Sequence, residues 1–193
     1  MSEAERNKWD ERYRDGAYDG RTHPTALLAS WTPFLPRAHA LDVACGAGRN
    51  ALFLAAAGFA VDALDISTVA LERARRTAVE RGLDVDWRVA DFDAPDPALP
   101  SNYDLIVWVR YVNRALLPRL IAGLNPGGHL ICEQHLETTA DVAGPRSSDF
   151  RLRAGELREA AVGLAVRHYK EGLVVDPDGR TVALAQLVGR KRA

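Results

Sequence analysis

Leu41-Asp42-Val43-Ala44-Cys45-Gly46-Ala47-Gly48-Arg49-Asn50 decides the fold of this chain. An apolar run ends in an acid, a small-residue turn follows, and an alanine-rich stretch begins. This layout predicts a strand that feeds a tight loop into a helix N-terminus. Glycine at 46 and 48 lets a ligand approach the backbone, because no Cβ stands in the way. The unpaired N–H groups of the first helical turn then face whatever the loop holds. About nineteen residues past Gly46, a second apolar stretch, Phe59-Ala60-Val61-Asp62-Ala63-Leu64, ends in Asp65. Nucleotide-binding α/β folds place an acid at this point to take the ribose hydroxyls. The spacing points to a nucleoside ligand.

The glycine pattern narrows which nucleoside. A dinucleotide fingerprint reads G-x-G-x-x-G, but here Arg49, Asn50 and Ala51 follow the two glycines. Asp42 sits just before the loop, where it would repel a pyrophosphate and suit a ligand with a cationic end. Both features disfavour a nicotinamide-dependent oxidoreductase. The segment resembles motif I of class I S-adenosylmethionine-dependent methyltransferases, particularly the tellurite-resistance and thiopurine-methyltransferase-like branch, which often writes it D-x-x-C-G-x-G-R-N. The resemblance runs from about Trp9 to about Lys191 and rests on further pieces. These are Trp9-x-x-Arg12-Tyr13, Asn125-Pro126-Gly127-Gly128-His129-Leu130, and Gly144-Pro145-Arg146 with the later Asp149-Phe150-Arg151-Leu152 and Gly155-Glu156-Leu157. Many relatives have glycine where Ala44 stands, so the loop entry is more crowded here.

The resemblance implies S-adenosyl-L-methionine as cofactor and S-adenosyl-L-homocysteine as product. The amino acid end of the cofactor would lie along Asp42, Ala44, Cys45, Gly46, Gly48, Arg49 and Asn50. Asp65, followed by Ile66, would hold the ribose. Asp91 in Val89-Ala90-Asp91-Phe92 would hold the adenine amino group, with Phe92 as an apolar wall. Tyr13 and Trp9 would close over the cofactor. Each residue also has a plainer reading: a tight turn for the glycines, a helix cap for Asp65, a turn former for Asp91, packing for Trp9. Cys45 reads as a small buried hydrophobe that offers only its backbone. No metal site is expected.

The 193 residues suffice for one domain with a full core, expected to span 1–193 with residues 1–36 as a helical cap over the cofactor site. A net charge of −1 gives no global pull toward nucleic acid or membrane. No apolar run is long enough to span a bilayer. The polar, acidic start, Met1-Ser2-Glu3-Ala4-Glu5-Arg6, is unlike a secretory signal. Cys45 and Cys132 make neither a C-x-x-C pair nor a disulfide framework. A cytoplasmic protein is expected.

Strand-like and helix-like runs alternate, which predicts α/β architecture: a doubly wound, mostly parallel, Rossmann-like sheet with helices on both faces. Helices are expected at about 4–14, 25–34, 49–57, 68–81, 116–124 and 154–161. Strands are expected at about 40–43, up to 65, 85–89, 103–109, 130–135, 164–175 and 181–188. Ser67 is placed to cap the fourth helix, and Asp93 to Pro100 reads as a proline-rich loop. Glu137 to Asp149 is polar and reads as a mobile lid. Asp176-Pro177-Asp178-Gly179 has turn chemistry, so the chain should finish in an antiparallel hairpin.

Ligands in open α/β sheets sit beyond the carboxyl ends of the strands. Tyr111, Arg114, Glu133 and His135 leave the fourth and fifth strands there and are the candidate acceptor pocket, with Arg146 in the lid to neutralise an anionic acceptor. Buried unpaired polar groups are costly, so such a cluster favours a wet site over a core, although a structural hydrogen-bond network is the plainer alternative. Methyl transfer from a sulfonium needs alignment above all. A thiolate or other soft anion needs no base; a hydroxyl or amine would need one, for which His135, Glu133 and Tyr111 are the candidates. The expected reaction is in-line methyl transfer to a small molecule. The alternatives are a non-catalytic S-adenosylmethionine-binding module and a nucleic-acid methyltransferase. Absence of an Asn-Pro-Pro-Tyr-type signature argues against the latter, and the oligomeric state is not legible.

Overall fold

The strand that ends in Asp42 and Val43, β1 (His39–Val43), is buried from Ala40 onward. In the computed structural model, which describes residues 3–94 and 99–192, it lies between two parallel partners. These are β2 (Ala60–Asp65) and β4 (Tyr103–Val109). A strand with no solvated face needs helices on both sides. Leu41 and Val43 join the core beneath Leu116 and Leu120, while Ala40 packs with Ala51 and Leu54. Those contacts belong to α5 (Leu116–Gly123) and α3 (Arg49–Ala56), which cover opposite faces.

The sheet is completed by β3 (Asp86–Val89), β5 (Leu124–His135), β6 (Leu164–Val175) and β7 (Thr181–Lys191), in the order β3-β2-β1-β4-β5-β7-β6. Among the described residues only β7 runs against its neighbours, pairing antiparallel with both β5 and β6. The expected hairpin therefore forms, with its second arm inserted between β5 and its first arm. Strand order reverses between β1 and β4, and the crevice above that reversal is where such sheets bind ligands.

The remaining helices are α1 (Glu3–Arg14), α2 (Ala26–Trp31) with a 3-10 turn at Thr32–Phe34, α4 (Thr68–Glu80) and α6 (Glu156–Ala160). Ser67 caps α4 as read, its side chain accepting from the Ala70 N–H at 3.1 Å. Three differences from the sequence reading stand out. Asn125 to Gly128 does not end a helix in a free turn but opens β5, because Leu124 pairs with Tyr103 across an irregular register step. The 137–149 segment is tied at Glu137 N–H to Leu152 O (2.8 Å) and Ala143 N–H to Thr181 O (2.9 Å), so the expected lid has two backbone anchors. The last helix is shorter than expected because Gly155 enters it in a left-handed conformation. Residues 95–98 of the proline-rich loop lie outside the described residues.

Candidate functional site

Gly46 and Gly48 both have positive φ, +56° and +79°. A Cβ at 46 would run into the Tyr13 hydroxyl, and one at 48 would meet the Trp87 ring and Ala74. Glycine is therefore required twice in three residues, once by α1 and once by β3 and α4. Ala44 also takes the left-handed region, φ +53°, which explains why a glycine suits that position.

Two buried acids hold the loop. Asp65 accepts from the Gly46 N–H at 2.7 Å and from the Ser67 N–H at 2.8 Å. Asp42 accepts from the Ala51 N–H at 3.0 Å. Gly48, the N-cap of α3, has no side chain to satisfy that donor, so the acid at the end of β1 does so from outside the helix. Burial is the main cause that pushes Asp42 up to about 7 and Asp65 up to about 6. The Cys45 thiol is also buried and pushed up by burial, so it is held as a thiol.

The other cofactor candidates are distributed around this core. Asn50 is buried and accepts from the Thr25 N–H at 3.0 Å, which anchors the start of α2. The Arg49 guanidinium donates to the His23 carbonyl at 3.4 Å, and burial and then Arg110 lower its pKa. Ile66 lies between Asp65 and the Ser67 cap and is partly exposed. Asp91 is buried at the end of β3 and accepts from the Asp93 N–H at 3.0 Å; Phe92 packs into the core with its ring 6.0 Å from Tyr111. Tyr13 is buried on α1, and Arg73 donates to its carbonyl at 2.7 Å.

The acceptor candidates lie toward the same end of the sheet, where several already have protein partners. Tyr111 donates to Asp93 at 2.7 Å. Arg114 pairs with Glu156 at 2.5 Å and donates to the Arg151 carbonyl at 2.9 Å. Glu133 is buried, paired with Arg110 at 3.0 Å and accepting from Gln186 at 2.8 Å. His135 is 6% exposed with its ring against Gly144, its Nδ1 has no hydrogen-bond partner among the described residues, and burial and nearby arginines push its pKa down to about 3. Arg146 is exposed on the loop. The plainer reading made for this set, a hydrogen-bond network, describes Arg114 and Glu133 as found.

Two residues beyond these readings shape the site. Arg110 has φ +58° and a side chain only 7% exposed, bound to Glu133 and, at 2.5 Å, to Asp176 in the β6–β7 turn. Its position after an apolar strand was the available signal, but its partner in the turn lies 66 residues away. Arg21 lies in the loop after α1 with a side chain 13% exposed. Nothing local in the sequence marks it as buried.

The sheet order, the single reversed strand and the acid-flanked glycine loop define a Rossmann-like domain of the class I methyltransferase type. A family profile for the methyltransferase domain matches residues 40–128. Hemagglutinin 1 of Eikenella corrodens is 30% identical over 155 residues, 75% of this chain and 51% of that protein. TehB of Haemophilus influenzae, a probable S-adenosyl-L-methionine-dependent methyltransferase, is 26% identical over 165 residues, 79% of this chain and 57% of that one. A crystal structure of TehB from the same species superposes with a TM-score of 0.74 at 22% identity, over 95% of this chain and 67% of the other. Trans-aconitate 2-methyltransferase of Paracidovorax citrulli is 35% identical over 118 residues, 58% of this chain and 44% of that enzyme. The chain spans about half the length of the curated relatives it matches. Residues 40–128 match a methyltransferase-domain profile, and the chain resembles the TehB branch of the class I S-adenosylmethionine-dependent enzymes.

Proposed function

We propose that this chain transfers a methyl group from S-adenosylmethionine to a small-molecule acceptor. The observation that carries the proposal is the positive-φ loop at Gly46 and Gly48, bound by buried Asp65 and fixed at its end by buried Asp42. Both oxygens of Asp65 take a backbone donor, and the carboxylate keeps acceptor capacity for a ribose hydroxyl. In this reading Ala44, Cys45, Gly46 and Gly48 offer backbone, Arg49 and Asn50 lie nearest the carboxylate, and Asp91 with Phe92 receives the adenine. The Tyr13 hydroxyl on α1 lies against Gly46, which supports the reading of the N-terminal segment as a cap over the cofactor loop. When bound, the cofactor supplies a sulfonium-activated methyl group. The chain aligns the acceptor with that carbon, excludes water and stabilises the loop geometry.

Base catalysis has little support. Glu133 is engaged by Arg110 and Gln186, and His135 is a weak base at about 3. Tyr111 hydrogen-bonds to Asp93, and burial raises its pKa. The acceptor would then arrive already deprotonated, and the bound cofactor would supply the methyl group to its lone pair. No proton needs to be removed. Among the described residues no helix is long and apolar enough to cross a membrane, and the two free cysteines are buried, in keeping with work in a reducing cytoplasm. A second reading, a binding module without turnover, is favoured by the engagement of Arg114 and Glu133 with other protein groups.

Titration calorimetry with S-adenosylhomocysteine, using NAD as control, tests the cofactor assignment. Micromolar binding of the former alone is expected, and Asp65→Asn should weaken it by about 1.5–3 kcal/mol. Equal affinity of the variant, or no binding by folded wild type, would overturn the assignment. A turnover assay separates the enzyme from the binding module.

A further inference from the structure

The loop after α1 and the β6–β7 turn border an open cleft of about 390 Å³, lined among others by Arg12, Tyr18, Arg21, Asp178 and Arg180. None of Gly46, Asp65 and Asp91 lines it, so it is distinct from the loop assigned to the cofactor. A smaller cavity shares Gly20, Arg21 and Asp178 with it and reaches Arg49, the residue that follows the glycine loop. Arg21 thus stands in the wall between the large cleft and the start of α3.

Charge around the large cleft is unbalanced. Asp178 is bound by Arg180 and lies 3.7 Å from Arg21; Asp19 is engaged by Arg73. Arg12 has no carboxylate within 4.0 Å among the described residues; its guanidinium donates to the Tyr18 hydroxyl at 3.2 Å and lies 4.9 Å from the Trp9 ring centre. The buried Arg21 Nε, the atom 3.7 Å from the Asp178 carboxylate, makes no hydrogen bond among the described residues, and burial followed by repulsion from Arg110 and Arg180 lowers the Arg21 pKa. Tyr18 is held at φ +67°, with Arg12 and Arg21 5.8 and 5.0 Å from its ring centre. Strained residues of this kind concentrate where a structure binds something. A crowded, partly unpaired set of guanidinium groups is relieved by an anion, and an aromatic ring beside it suits an organic body.

We infer that this cleft receives the methyl acceptor, and that the acceptor is a small organic carboxylate seated on Arg21 and Arg12 with its body against Tyr18. This assignment rests on the methyltransferase reading and accords with an acceptor that needs no base. Benzoate is the probe, with benzamide as its neutral isostere, titrated into the full chain with and without S-adenosylhomocysteine. Benzoate should bind at least tenfold more tightly than benzamide. Arg21→Gln should erase that preference, Arg12→Gln on the surface of α1 should reduce it, and Arg167→Gln on exposed β6 should leave it intact. Circular dichroism verifies that each variant is folded. Equal binding of the two probes, or a preference that survives in both folded Arg21→Gln and Arg12→Gln, would overturn the inference. Binding of S-adenosylhomocysteine without a benzoate preference overturns the acceptor assignment alone. A benzoate preference without S-adenosylhomocysteine binding overturns the methyltransferase reading, and the acceptor role with it.

Discussion

Ala44 carries a Cβ at φ +53°, where L-residues meet their own carbonyl. That conformation costs an alanine about 1–2 kcal/mol, whereas glycine there would lose about 0.4–1 kcal/mol through a more flexible unfolded chain. Ala44→Gly should therefore stabilise by up to about 1.6 kcal/mol, read as a higher urea midpoint with unchanged slope. Asp42 shows the opposite use of burial. Its carboxyl is pushed up to about 7, chiefly by desolvation, from an ordinary value of 3.8. The folded state thus holds this proton more tightly than the unfolded chain. The cost of ionising Asp42 is absent below about pH 4 and grows as pH rises toward 7. Melting temperatures from pH 5 to 8 should fall more steeply for wild type than for Asp42→Asn, which keeps an oxygen for the Ala51 N–H. A cationic ligand favours the ionised acid, so affinity for S-adenosylmethionine should rise over the same interval in wild type and not in the variant.

Helix α1 has a weak apolar face, yet it is held over the glycine loop by a few directed contacts. Asp10, 5% exposed, accepts from Ser67 Oγ (2.6 Å), Thr68 Oγ1 (3.1 Å) and the Val69 N–H (3.1 Å) at the start of α4. It supplies from another element an acceptor that the first turn of α4 needs. Arg73, further along α4, binds the Tyr13 carbonyl and Asp19. Loss of Asp10 leaves the Val69 donor and two hydroxyls without it. Asp10→Ala should cost about 1–3 kcal/mol, and amide exchange across 3–14 should accelerate more than exchange in β1 or β4. Equal protection of α1 in variant and wild type would remove Asp10 from that role.

Across the molecule, Arg110 joins three parts of the chain. From the end of β4 it binds Glu133 on β5 and Asp176 in the β6–β7 turn, and its N–H donates to the Glu133 carbonyl at 2.7 Å. Both carboxylates are buried. Removing the cation leaves them uncompensated, which for buried pairs costs about 3–5 kcal/mol. Arg110→Ala should show that loss in urea denaturation at neutral pH. A loss below about 1 kcal/mol would mean that water reaches the pair in solution, as it does for exposed pairs.

The chain's own pattern determined the alternation of strands and helices, the glycine loop, the Ser67 cap and the C-terminal hairpin, because each is written in residues close in sequence. Periodic burial, a capping hydroxyl and turn residues act over a few positions, so a linear reading finds them. What joins distant residues was decided only by the tertiary structure. Asn125 to Gly128 reads locally as a helix stop, and only pairing of Leu124 with Tyr103 draws it into β5. Glu133 reads as a polar group beside a site, and only Arg110 and Gln186 make it a buried partner. Arg21 is one loop arginine among many until Tyr18, Asp178 and Arg180 surround it. The physical reason is range: hydrophobic periodicity and capping are local, whereas burial of a charge depends on which far segments the sheet order brings beside it.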